Sequence, residues 1–124
     1  MNITLWVIAG VLAAAFAAAG LMKLTQPKAK LAASGMEWTE DFTDPQVKGI
    51  GAVEVLGAIG LIVPAALDIA PVLAALAAAG LAITMLVASV VHVRRGENQM
   101  VPVTLLLAAL AIFVAVMRFG PNAF

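Results

Sequence analysis

The stretch Gly51-Ala52-Val53-Glu54-Val55-Leu56-Gly57-Ala58-Ile59-Gly60-Leu61-Ile62-Val63-Pro64 decides the fold. It belongs to one of four apolar runs near the roughly 20 residues needed to cross about 30 Å of hydrocarbon. Within it stands one carboxylate. On insertion scales a charge there costs about 2.5–3.5 kcal/mol, so Glu54 must face a partner, a cavity or a proton pathway rather than lipid. It marks the interior of a helix bundle and is the best functional lead in the chain.

Outward from this run, the spacing predicts spans over residues 3–22, 46–63, 71–93 and 101–119. Asp44-Pro45 reads as an N-cap followed by a first-turn proline. Pro64 reads as the close of the second span, Pro71 and Pro102 suit the first turns of the next two, and Gly120-Pro121 ends the last. The short turns at 65–70 and 94–100 make successive helices antiparallel neighbours. The expected fold is all-α, a four-transmembrane-helix up-down bundle forming a single domain over 1–124. Between helices 1 and 2, Pro27 starts a short helix ending near Gly35, and Trp38 and Phe42 suit the headgroup zone, so this segment is read as interfacial. Small residues at four-residue spacing, Gly10-Ala14-Ala18 on helix 1 and Ala74-Ala78-Ala82 on helix 3, predict close helix contacts in lipid.

Hydrophobic residues make up 64% of the 124 positions, against about 45–50% in a soluble domain. Basic and acidic residues cancel at seven each, which leaves no field to recruit nucleic acid. With no cysteine and one histidine, thiol chemistry, iron–sulfur clusters and a protein-built metal site are not expected. Ile3 to Met22 is long enough to span and lacks the charged start of a secretory signal, so it is read as a retained helix; a cleavage site in the Ala13–Ala19 run is the alternative. Lys23, Lys28, Lys30, Arg94 and Arg95 flank the first and third loops, with Lys48 nearby and Arg118 on the other side. The positive-inside rule then puts both chain ends outside.

Alternating helix direction brings Lys23, Lys48, Glu54 and His92 into the same half of the bilayer. Lys48 lies about 120° around the helix from Glu54 at 100° per residue, so Lys23 is the expected charge partner. Around Glu54, the small residues Gly51, Gly57 and Ala58 either admit another helix or leave a ligand slot, with Trp38 at its entrance. The Lys23–Glu54 pair could serve to fix helix register, or Glu54 could be a proton donor or the counter-ion of a cationic or quinone-like ligand. His92 reads as a headgroup-level residue or as a proton relay with Glu54, and Arg118, near Trp6, as snorkelling to phosphate.

The run 51–64 resembles the second helix of the DoxX-like family, and Gly20-Leu21-Met22-Lys23-Leu24 is similar to its first-helix ending. Helix 3 through His92-Val93-Arg94-Arg95-Gly96-Glu97, and Arg118 closing helix 4, extend the resemblance over nearly the whole chain. The resemblance implies a four-helix membrane protein. Some relatives are named for a thiosulfate:quinone oxidoreductase subunit, others associate with redox enzymes, and distant animal relatives assist receptor assembly. Without a phosphate loop, nucleophile elbow or cysteine, an enzyme acting alone is not expected. The leading expectation is a non-catalytic accessory or assembly partner in the bacterial inner membrane, working with a membrane protein or as a homo-oligomer and holding no cofactor. Its rivals are a quinone-linked oxidoreductase subunit and a small-molecule or lipid binder or transporter.

Overall fold

The computed structural model describes residues 2–33, 35–70 and 72–120. Helix α1 runs Asn2–Thr25, α2 Lys28–Ala33, α3 Asp44–Ala66, α4 Val72–Arg94 and α5 Val101–Phe119, with a 3-10 turn at Glu37–Asp41 between α2 and α3. The described residues contain no strand. Helices α1, α3, α4 and α5 are each long and apolar enough to cross a membrane, so the chain is a multi-pass membrane protein. α1 packs on α3, α3 on α4 and α4 on α5, and a lighter α1–α5 contact closes the ring. This is the all-α up-down bundle expected from the spans.

The boundaries differ in detail. Thr43, not Asp44, caps α3: its hydroxyl accepts from the Gln46 N–H at 3.3 Å while the Gln46 amide oxygen accepts from the Thr43 N–H at 2.9 Å. The reciprocal bonding satisfies two donors that a helix start leaves unpaired. Pro64 does not close α3, which continues through Ala66. The fixed φ of proline is itself helical, so one turn from the end the ring forfeits a single hydrogen bond without stopping the helix. Pro71 and Pro121 lie outside the described residues, whereas Pro102 sits in the first turn of α5 as expected.

Leu5, Leu12 and Phe16 of α1, Leu61 of α3, Leu81 and Met85 of α4, and Ala111 and Val114 of α5 form one buried core. Ala74, Ala78 and Ala82 are buried within it or beside it. The other small-residue stripe does not pack within the chain. Gly10, Ala14 and Ala18 are exposed, and nothing lies within 4 Å of where a Gly10 Cβ would stand. The inward stripe of α1 is instead Leu5, Ala9, Leu12, Phe16, Gly20 and Lys23, rotated by one residue from the predicted face. Close approach occurs at its end: a Cβ on Gly20 would stand 2.7 Å from the Gly51 carbonyl oxygen, and one on Gly51 would stand 2.8 Å from that of Gly20.

Candidate functional site

The glycine contact sets the geometry of the charged pair. Lys23 lies one turn beyond Gly20 on α1, and Glu54 one turn beyond Gly51 on α3. With the two backbones this close, the Lys23 ammonium donates to Glu54 Oε1, and the two side chains are only 7% and 2% exposed. The pairing leaves both charges matched inside an apolar bundle, which is what their burial requires.

The segment between α1 and α3 covers this pair. Gly35 adopts φ 102°, a conformation that favours glycine, and its N–H donates to Ala32 O while Met36 N–H reaches back to Leu31 O at 3.0 Å. The reversal carries the 3-10 turn over the bundle end, and the Trp38 ring lies with its centroid 5.5 Å from Lys23 Nζ. Phe42 meets Trp38 edge-on at 5.6 Å and 81°, and Lys28 Nζ holds the segment by donating to Phe42 O at 2.7 Å. Lys23 is thus shared between a carboxylate and the face of an indole ring.

Lys48 does not join the cluster. It is exposed and donates to Leu24 O at 3.3 Å, satisfying a carbonyl at the C-terminal end of α1. The anticipated slot beside Gly51, Gly57 and Ala58 is filled. α1 lies against Gly51, Leu81 reaches within 2.6 Å of a Gly57 Cβ position, and Ala58 is buried in the core. The glycines admit neighbours rather than a ligand.

Open space lies instead on the side of Glu54 facing α4 and α5. A cavity of about 440 Å³ is bordered by Lys23, Trp38, Glu54, Thr84, His92 and Thr104 among polar groups and by Phe16, Ile50, Met85, Ala88 and Leu107 among apolar ones. Val53, Ile83, Val87 and Val103 also border it while standing exposed on the outer faces of their helices. Ile83 is eleven residues from the end of α4, about 16 Å along the axis, so the cavity reaches the level of the hydrocarbon.

His92 borders the same cavity, yet its partner is not Glu54. Its Nδ1 lies 2.9 Å from Glu97 Oε1. After Arg94 the chain turns at Gly96, φ 72°, with Gly96 N–H donating to Val93 O and Glu97 N–H to His92 O at 2.9 Å. This left-handed helix ending folds Glu97 back over His92. Arg95 Nε donates to Glu97 Oε2 at 3.3 Å and Arg95 Nη1 to Asp41 Oδ2 at 2.6 Å. The bond to Asp41 above all, with Glu97 assisting against desolvation, holds the Arg95 guanidinium protonated above its ordinary value. Asp41, Arg95 and Glu97 thus tie the covering segment to the α4–α5 turn and then to His92. Gly96 after a basic pair was the one sequence signal for this chain of contacts.

At the other end, Arg118 is 6% exposed, so it does not snorkel. It donates to Asn2 Oδ1 at 2.7 Å and stands 5.9 Å from the Trp6 ring centroid, joining α5 to α1. Among the described residues no group of three His, Cys, Asp or Glu side chains could hold a metal ion.

No curated protein and no solved structure matches the chain at a significant level. The model of the DoxX-like family matches residues 7–114, most of the chain and all of the residues that border the cavity, and the protein therefore belongs to the DoxX-like family.

Proposed function

We propose that the protein binds a small lipophilic molecule taken from the bilayer, with its polar head near Lys23 and Glu54 and its apolar body against Phe16, Met85 and Leu107. The observation that carries this reading is the composition of the cavity wall. It joins a buried, matched ion pair to side chains exposed at hydrocarbon depth, so a guest enters sideways from lipid without crossing water. Trp38 and the covering segment close the headgroup side. The Lys23–Glu54 pair then has two uses, fixing the register of α1 on α3 and furnishing the polar end of the site. The distribution of basic residues supports an orientation with the start of α1 and the end of α5 outside, and membership of the DoxX-like family is the ground for proposing the bacterial inner membrane as its location.

The test is mass spectrometry of lipophiles that co-purify with the protein after mild extraction, paired with thermal shifts on a panel of amphiphiles that includes a short-chain quinone. Wild type should retain one class of molecule well above its bulk proportion. Ala88→Phe, which fills the cavity from α4, should lose it while remaining folded. Bulk lipids in bulk proportions, with no amphiphile raising the melting temperature, would sink the reading.

A second reading is an assembly partner for another membrane protein or for further copies of this chain. It is favoured by the unpartnered Gly10-Ala14-Ala18 face of α1, where open space surrounds Gly10. Crosslinking from cysteines introduced at 14 and 18 in native membranes tests it; capture of bulk lipid-facing neighbours at random would count against it.

A further inference from the structure

Two side chains that border the cavity, Glu54 and His92, are only partly used by the protein. Glu54 spends one oxygen on Lys23, and Oε2 has no partner. His92 spends Nδ1 on Glu97, and Nε2 has none. No buried side-chain nitrogen or oxygen among the described residues is both sealed and unpaired, so these two atoms open on accessible space, and the space both residues border is the cavity. The other Glu97 oxygen accepts from Arg95 Nε at 3.3 Å, so the carboxylate is held in place against the ring. With a carboxylate oxygen 2.9 Å from Nδ1, the ring tautomer that donates from Nδ1 makes this bond and leaves the lone pair on Nε2.

Charge narrows the guest further. Glu54 is matched by Lys23 and Glu97 by Arg95. A carboxylate head would meet Glu54 unbalanced, and an ammonium head would meet Lys23. A neutral head that donates hydrogen bonds satisfies the acceptors and adds no charge to an apolar site. We propose that the guest is a neutral lipophile with a hydroxyl head, a phenol or an alcohol, and that His92 Nε2 accepts its hydrogen bond. This rests on the cavity being a ligand site.

The matched probes are 4-heptylphenol and 4-heptylanisole, which differ in one hydroxyl replaced by a methyl ether that cannot donate. With wild type in phosphatidylcholine nanodiscs, the phenol should bind about tenfold more tightly than the ether, the gain of one good hydrogen bond in a dry site. His92→Phe should erase that difference, so that the two probes bind alike. Because the chain has a single histidine, ¹⁵N labelling of histidine gives an independent reading on the unaltered protein. Nδ1 should carry the proton, and the Nε2 resonance should move with the phenol and stay with the ether. Equal binding of the two probes, a preference that survives His92→Phe, or a proton on Nε2 would each overturn the inference while the cavity still bound a guest. Binding of neither probe, together with a negative amphiphile panel, would overturn the cavity reading as well.

Discussion

The two ends of the bundle solve the same problem differently. At each, a buried cation stands about one ring-width from a tryptophan: Lys23 over Trp38, Arg118 over Trp6. Arg118 bonds a side-chain amide, Asn2, and joins the first helix to the last. Lys23 bonds a carboxylate set a full turn deeper in the neighbouring helix, and beside that carboxylate the packing opens into a cavity. A guanidinium near a helix end suffices as a clasp. A carboxylate inside the bundle brings a desolvation cost that a clasp does not need, and this contrast is why the Lys23 end, and not the Arg118 end, reads as the site.

The comparison breaks most visibly through Lys23. In Lys23→Leu, Glu54 loses its cation inside the bundle, with an expected loss of about 3–5 kcal/mol, measured by steric trapping in bicelles. Glu54→Gln should cost clearly less, because Lys23 lies two residues from the end of α1 and its stem reaches the interface. The double variant should recover most of the loss; equal losses in both single variants would mean that Lys23 cannot reach the interface once Glu54 is neutral. Next comes the glycine contact. Gly51→Ala presses a methyl group on the α1 backbone and should cost about 1–3 kcal/mol, whereas Gly10→Ala, in open space, should be neutral in the same assay.

At the opposite end, Arg118→Gln removes the cation over Trp6 and should cost about 0.5–2 kcal/mol with no change in retained lipophile. Loss of the guest in that variant would erase the distinction between the ends. Smallest of all, Arg95→Gln should leave thermal stability unchanged, since its bridge to Asp41 is at the surface, yet it should loosen the covering segment. Faster hydrogen exchange over 37–42 is the readout, and unchanged exchange would show that the Asp41 contact does not hold it.

What the sequence made legible follows from the distance over which each effect acts. Span lengths, antiparallel order and the choice of Lys23 for Glu54 need only helix geometry and the cost of a charge in lipid. The location of free space needs to know which helix fills which groove. Gly51 and Gly57 read equally as slot or as contact, and only the positions of α1 and Leu81 decide for contact. The same limit explains the small-residue stripe on α1: one residue of rotation separates Gly10-Ala14-Ala18 from the face that packs, and composition alone does not fix rotation. His92 borders the cavity, and its partner lies five residues ahead, across a turn that Gly96 permits.

The Lys23–Glu54 pair also bears on how the protein is made. Its members lie 31 residues apart in sequence, on two helices that reach the membrane at different moments. While α1 waits alone, Lys23 can reach the aqueous boundary, but Glu54 arrives near the middle of α3 with no such escape. α1 is thus expected to act as the docking helix for α3 during insertion, before α4 emerges. A chain halted after Ala66 should insert α3 efficiently with lysine at position 23 and poorly with leucine there, as read by glycosylation mapping.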